Sequence, residues 1–410
     1  MRTWPDPPCW RPRRDRGAVA GIEYLPDLSD KGRIMGRCRL IIKRVALLAT
    51  ALAFAACSRG PSQSLTDAPI KIGLIAPLTS GVAANARSVV EGAQLAVDEA
   101  NADKGIRGRR LSVVILDDRG VPDEAAKHLE QLAGEGAVAV VGPLTDDATI
   151  AAAGAAARLR VVLLSPGATA TLPYGGHFVF RTALPARTQA AAMAGFLAES
   201  LNFRRIAVSH DSNEYGTMVT QAFEEGLLAR GIALTSRRLY RDGETDFTRH
   251  VRGAIAEQAQ ALFVAGYPDE AALLLRQVRA VTTTLVVAGS DALYSQDVLD
   301  GAGASAEGFY VPTGFIADVR LPVVRTFVSG YEKKYGRAPD QFAAQAYDAV
   351  RVIVHAVRRS GTDRQAIRDT IASLRRFPGA TGDLGFDRWG NPARDVVIAR
   401  VKGGAFTPGR

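Results

Sequence analysis

The fold is decided by the stretch Val161-Val162-Leu163-Leu164-Ser165-Pro166-Gly167-Ala168-Thr169-Ala170. A short apolar run closed by Pro and Gly predicts a buried parallel strand that ends in a loop of small residues. In open α/β sheets, ligands bind beyond the carboxyl ends of such strands. Gly167 would let a ligand approach the main chain, and the hydroxyls of Ser165 and Thr169 with nearby N–H groups can hold an anion. An ordinary strand-to-helix turn uses the same residue types, so that alternative stays open.

Strand and helix patterns alternate on both sides of this stretch, which is typical of parallel βαβ units. The predicted strands are 70–76, 111–116, 137–141, 206–210, 233–240, 261–265 and 285–288. The pattern restarts near residue 188, which predicts a second doubly wound domain. Helices at 323–335 and 342–359 have no partner strands nearby, so we expect them to return and cover the first domain.

The 410 residues suffice for two domains, and 47% hydrophobic with 23% charged residues is typical of a globular chain. The net charge of +9 does not indicate nucleic-acid binding, because residues 1–56 hold 11 Lys and Arg against 5 Asp and Glu, six of the nine charges. The rest of the chain is close to neutral. We therefore expect no nucleic-acid partner.

The leader divides at Met35. Residues 1–34 show no helical or strand period, and we interpret them as a non-native upstream extension; a cytosolic N-terminal extension is the alternative. Residues 35–56 carry basic residues followed by an apolar run too short to span a bilayer, which predicts a signal peptide. Phe54-Ala55-Ala56-Cys57 resembles a bacterial lipobox, although Phe54 stands where Leu is usual. The resemblance implies lipidation of Cys57, with 57–69 as the tether to the membrane.

Cofactor and enzyme signals are missing from the sequence. Cys9, Cys38 and Cys57 all lie at or before the cleavage point, so the body can form no disulfide. The five histidines are dispersed without metal-ligand spacing, and we expect no metal or cofactor. The sequence also has no G-x-G-x-x-G, P-loop or nucleophile-elbow motif, so we expect no enzyme.

Several segments, in this order and spacing, resemble the bacterial periplasmic amino-acid-binding proteins of the Leu/Ile/Val type, the solute receptors of ATP-driven importers. They are Ile70-Lys-Ile-Gly-Leu-Ile-Ala-Pro-Leu-Thr79, Glu91-Gly-Ala-Gln-Leu-Ala-Val-Asp98, Gly105-Ile-Arg-Gly108, Asp117-Asp118, Ser165-Pro166-Gly-Ala-Thr-Ala170, Phe180-Arg-Thr182, Tyr215-Gly216, Ala306-Glu-Gly308 and Phe386-Asp387.

The resemblance implies a type I periplasmic-binding fold: two doubly wound parallel-sheet lobes joined by three crossover segments, with a ligand cleft between them. Lobe 1 would comprise 70–186 and 312–386, and lobe 2 would comprise 187–311 and 387–410. It further implies a monomer in the periplasm or at the cell surface, lipid-anchored, that delivers a small amino-acid-like solute to an ABC permease in the membrane.

Ligand-binding positions carry over from the resemblance one at a time. Thr169, with the backbone of Gly167 and Ala168, stands where the family holds the ligand's α-carboxylate. Tyr215 and Tyr267 stand at two aromatic walls, which could instead be rim packing. Asp291 stands where an acid pairs with the α-ammonium, although it could be a turn residue. Phe342 is a weaker candidate for a further wall.

Two positions depart from the family pattern. Asn85 replaces a frequent Tyr, and Asp146 falls where a carboxylate-holding Ser is usual. An ionised Asp146 would repel a substrate carboxylate. Either Asp146 turns away and Thr145 takes over, or the ligand is not a plain α-amino acid and Asp146, Asp147 and Asp291 form a cluster suited to a cation. Asp146 and Asp147 could also simply cap a helix.

The departures motivate an alternative function: a lipoprotein of the same fold that binds and regulates a protein partner, such as a cell-wall enzyme or a membrane sensor. An unusually apolar outer surface on one lobe, or a cleft filled by its own side chains, would favour it.

Overall fold

The computed structural model describes residues 68–317 and 321–409. The leader predictions, namely the extension 1–34, the signal peptide 35–56, lipidation of Cys57 and the tether up to residue 67, lie outside the described residues. Within the described part, no helix is both long and apolar enough to cross a membrane.

The first lobe begins with a five-stranded, wholly parallel sheet in the order β2-β1-β3-β4-β5. Alternate strand residues face two separate cores, so that Val162 and Leu164 lie in one and Leu163 lies in the other. Helices cover both faces, as predicted for a doubly wound lobe. The elements are β1 (Ile70–Ala76), α1 (Ala83–Ala102), β2 (Leu111–Asp117), α2 (Pro122–Gly134), β3 (Ala139–Val141), α3 (Asp146–Leu159), β4 (Val162–Ser165) and β5 (Val179–Arg181).

The second lobe repeats this arrangement with a parallel sheet in the order β10-β9-β8-β6-β7. The first helix of this lobe, which begins at Ala186, finishes in a π turn, Phe196–Ser200. The elements are α4 (Ala186–Gly195), β6 (Ile206–Asp211), α5 (Glu214–Leu228), β7 (Ser236–Tyr240), α6 (Thr248–Ala256), β8 (Ala261–Ala265), α7 (Pro268–Val281), β9 (Val286–Gly289), α8 (Gln296–Ala302) and β10 (Tyr310–Thr313).

After β10 the chain returns to the first lobe, as the helices without partner strands predict. It forms α9 (Pro322–Tyr335), α10 (Gln341–Ser360), α11 (Arg364–Ala372) and the hairpin β11 (Phe377–Gly379) and β12 (Gly382–Leu384). The apolar face of α10 is buried in the first core beside α1. The buried Asp348 holds the hairpin turn by accepting hydrogen bonds from the N–H groups of Ala380 and Thr381 at 2.7 and 2.8 Å.

The chain then crosses back and adds β13 (Val397–Lys402) and β14 (Ala405–Pro408) to the edge of the second sheet. Both pair antiparallel, β13 with β10 and β14 with β13. The second sheet is therefore mixed and not wholly parallel as expected, because its last two strands are joined by a tight hairpin without an intervening helix.

The crossings fall at slightly different residues from those expected. Ala186 packs in a core of the second lobe, and Pro312 belongs to β10 in the second sheet, so the return to the first lobe follows Thr313. Residues 387–396 still lie against the first lobe, where the N–H of Arg181 donates to the carbonyl of Gly390 at 3.0 Å.

One half-buried side chain, that of Arg394, contacts all three crossings. The guanidinium of Arg394 donates to the carbonyl oxygens of Thr182 in the first crossing (2.9 Å) and Gly314 in the second, and to Thr381 in the hairpin turn (2.8 Å). Arg394 itself lies in the third crossing. Burial lowers the pKa of this guanidinium to about 10, and the charge of Asp348 opposes that shift.

Candidate ligand-binding cleft

The loop after β4 is held by a carboxylate from the neighbouring strand end. Asp146, the first residue of α3, accepts hydrogen bonds at Oδ1 from the N–H groups of Thr169 (2.6 Å) and Ala170 (2.9 Å). The hydroxyl of Thr169 lies 3.4 Å from Oδ2. Asp146 therefore faces this loop and occupies the N–H of Thr169, the residue at which the resemblance places a ligand carboxylate.

The other N–H groups of this loop are also satisfied within the protein. Oγ of the buried Ser165 accepts from the N–H of Ala168 at 3.0 Å and donates to the carbonyl of Pro143 at 2.7 Å. A Cβ at Gly167 would lie 2.4 Å from the carbonyl oxygen of Leu144. Gly167 is thus required by the close approach of Leu144, a reason the sequence analysis did not give.

Arg181, at the end of β5, lies behind the same loop and is only 3% exposed. Its guanidinium donates to the carbonyls of Ala168 (3.2 Å) and Ala170 (2.5 Å) and to Oδ1 of Asn391 (2.8 Å). Burial lowers its pKa to about 10, while the charges of Asp146 and Asp387 favour the protonated form. The sequence analysis missed Arg181 as a site residue, although the motif Phe180-Arg-Thr182 contained it.

In the second lobe, the structure brings Tyr215, Tyr267 and Asp291 together beyond the ends of β6, β8 and β9. The Tyr215 hydroxyl donates to Oδ1 of Asp291 at 2.8 Å. The rings of Tyr215 and Tyr267 stack with centroids 5.5 Å apart and planes 24° apart. Asn213 fixes the start of α5 by accepting the N–H of Gly216 at 2.8 Å, which places Tyr215 in the first turn.

The two lobes act on each other through these carboxylates. Burial raises the pKa of Asp291 to about 6, and the charge of Asp146 in the first lobe adds to the rise, whereas the hydroxyl of Tyr215 opposes it. Burial also raises the pKa of Tyr267, together with the negative charges of Asp211, Asp146, Asp291 and Asp147. The cleft is therefore surrounded by carboxylates from both lobes.

Two buried acceptors beside Asp291 have no partner. Ser290 is 1% exposed and Gln189 is 4% exposed, and neither Oγ of Ser290 nor Oε1 of Gln189 has a hydrogen-bond partner within residues 68–317 and 321–409. The hydroxyl of Ser290 lies beside that of Tyr215, and Gln189 is near enough to Asp291 to affect its titration. The sequence analysis missed both. Gln189 is the last polar residue before the apolar run that begins at Ala190, which was the available signal.

The remaining candidates are less clearly placed in the cleft. Thr145 precedes α3 and offers its carbonyl, not its hydroxyl, to Thr149. Asp147 is exposed. Asn85 is half-buried in the first turn of α1, and Phe342 packs partly buried against the first core from the first turn of α10. No cluster of His, Cys, Asp and Glu with metal-binding geometry occurs in the part of the chain that the structure describes.

The comparisons with known proteins agree with this architecture. The sequence profile of the family "Periplasmic binding protein" matches residues 69–405. The Leu/Ile/Val-binding protein BraC3 of Rhizobium johnstonii is 29% identical, over 84% of this chain and 93% of that protein. The leucine-, isoleucine-, valine-, threonine- and alanine-binding protein of Pseudomonas aeruginosa is 27% identical, over 85% and 93%.

Solved structures give the same result. The branched-chain amino acid transporter substrate binding protein LivJ of Streptococcus pneumoniae, in complex with isoleucine, has a TM-score of 0.73 at 28% identity, covering 82% of this chain and 97% of that one. The leucine binding protein LivK of Thermotoga maritima has a TM-score of 0.72 at 30% identity, with coverage of 83% and 97%. The chain therefore belongs to the periplasmic binding protein family, has its type I fold, and is similar to solute-binding proteins of the branched-chain amino acid type.

Proposed function

We propose that the chain is the extracytoplasmic solute-binding protein of an ABC importer, capturing a small amino-acid-like ligand by closure of its two lobes. The observation that carries this proposal is the placement of polar side chains at the strand ends of both lobes: Asp146 on the loop after β4, and Asp291 with the stacked Tyr215 and Tyr267. Each group stands just beyond a strand end, where α/β sheets bind ligands. The names of the relatives support the amino-acid-like character of the solute.

The proposal includes a lipid anchor on Cys57, delivery to a membrane permease, a monomeric state and no catalysis. The alternation of lobes along the chain supports closure about the three crossings, because a hinge lets buried ligand contacts stabilise the closed state.

Calorimetry with a broad panel of amino acids, amides and amines tests the binding function. We expect saturable binding of at least one compound, together with a rise in the unfolding temperature that grows with ligand concentration. Binding of none of them would contradict a solute-binding function and favour a protein partner. Loss of membrane association in Cys57→Ser, measured by cell fractionation, tests the anchor.

A further inference from the structure

The anion subsite of the first lobe is already filled. Both N–H groups that face the cleft from the loop after β4, those of Thr169 and Ala170, donate to Oδ1 of Asp146. A ligand carboxylate would have to displace Asp146 and then lie next to its negative charge. Oδ2 of Asp146 has only the long 3.4 Å contact with the Thr169 hydroxyl, so it can still accept a hydrogen bond from a ligand.

The second lobe offers hydrogen-bond acceptors around Asp291. Oδ1 of the buried Asp291 receives one hydrogen bond, from Tyr215. Beside it, Oγ of Ser290 and Oε1 of Gln189 are buried without partners in the described ranges. A buried polar atom without a partner is costly. Oε1 of Gln189 can only accept a hydrogen bond and therefore favours a ligand that donates one, whereas the hydroxyl of Ser290 can donate or accept.

The stacked tyrosines complete the subsite. The ring of Tyr267 is half-exposed, at 44%, and lies against the ring of Tyr215, which carries the donor to Asp291. Aromatic faces attract ammonium and guanidinium groups, and they also pack against alkyl chains. This wall therefore suits a cation with an apolar stem.

We propose that the ligand is an organic cation without a free carboxylate, whose N–H groups bind Asp291, Ser290 and Gln189 beside the tyrosine wall while Asp146 keeps the anion subsite closed. This inference rests on the proposed solute-binding function. In this inference Asp146 determines the class of ligand. Its side-chain carboxylate accepts the hydrogen bonds that the carboxylate of an amino-acid ligand would otherwise accept.

Matched pairs of compounds test it by isothermal calorimetry on the purified protein. Leucinamide is compared with leucine, and agmatine with arginine, since each pair differs by the presence of a carboxylate. We expect the native protein to bind at least one of leucinamide and agmatine at least about tenfold more tightly than its carboxylate partner. In Asp146→Ser, which frees the N–H groups of Thr169 and Ala170, the preference should fall and leucine or arginine should gain about tenfold or more.

Asp123→Ser is the matched control, because it removes an exposed charge from the first turn of α2 in the same lobe but leaves Asp146 in the loop. It should gain no affinity for the carboxylate compounds. Native binding of leucine or arginine that equals or exceeds that of the partner compound overturns the inference but leaves the proposed function standing. No native binding of leucinamide or agmatine also overturns it, whereas the solute-binding function fails only if the broad panel is negative as well.

Discussion

The two lobes differ in whether the polar groups at their strand ends have hydrogen-bond partners within the protein. In the first lobe, the N–H groups of residues 167–170 are bonded to Ser165 and Asp146, so the loop is satisfied without a ligand. In the second lobe, Ser290 and Gln189 keep buried acceptors without partners in the described residues, next to a buried carboxylate. The loop of the first lobe thus needs no ligand to complete its hydrogen bonds, whereas the second lobe keeps a buried oxygen, Oε1 of Gln189, that can still accept one.

The largest effect should come from Asp291. In Asp291→Asn the hydrogen bond from Tyr215 can persist, but the charge that pairs with a cation is lost. We expect affinity for the tightest-binding amine or amide to fall at least about 100-fold, or about 3 kcal/mol, measured by calorimetry. Asp300→Asn, an exposed acid on α8 of the same lobe, serves as the control and should change affinity little. Equal losses in both variants would contradict a direct role for Asp291.

The same substitution should stabilise the ligand-free protein. The pKa of Asp291 is raised from 3.8 to about 6, so between these pH values the native state keeps a proton that the unfolded state releases. The contribution of Asp291 to the free energy of unfolding therefore falls as the pH rises from about 4 to 6. At pH 7.5, Asp291→Asn should be more stable by on the order of 2 kcal/mol, and at pH 4 the gain should largely vanish. Urea unfolding of both proteins at the two pH values measures this; a gain independent of pH would show that the carboxyl is not the cause.

A smaller effect is expected at the tyrosine wall. Tyr215→Phe keeps the ring but removes the donor to Asp291, and affinity should fall about tenfold, or about 1.4 kcal/mol. The pKa of Asp291 should rise further, so the loss of cation binding on acidification should begin at a higher pH than in the native protein. Tyr267→Phe keeps the stack and provides the comparison; a larger loss there would assign the critical hydroxyl to Tyr267.

The smallest effect should be at Thr169. The Thr169 hydroxyl lies 3.4 Å from Oδ2 of Asp146, whereas the Thr169 N–H donates to Oδ1 of Asp146 at 2.6 Å. Thr169→Val keeps that N–H, so affinity should change by less than about threefold. A large loss in a titration of this variant would mean that the hydroxyl binds the ligand directly, and the first lobe would then contribute more than the comparison allows.

Local patterns in the sequence were enough to predict the two α/β lobes, because strand and helix periods involve neighbouring residues. The departure at Asp146 was also visible as a charge in an unexpected place. The hydrogen bonds that Asp146 makes were not predictable, since they join it to N–H groups 23 and 24 residues further along the chain. The sequence analysis did not predict Arg181, Gln189 and Ser290 as site residues for the same reason. Their importance depends on burial and on partners that only the fold brings together. A strand at 396–398 was predicted, but its antiparallel pairing with β10 and β14 was not, because pairing with a strand far earlier in the chain leaves no local signal.

Arg394 gives the lobes a common pivot. Because its guanidinium bonds the carbonyls of both other crossings from within the third, sliding one lobe past the other would break these bonds together, whereas rotation about the guanidinium can preserve them. Opening and closing of the cleft is thereby restricted to a single hinge coordinate. If the chain delivers its solute to a permease as proposed, the angle between the lobes would be the property of the protein that reports ligand binding to that permease.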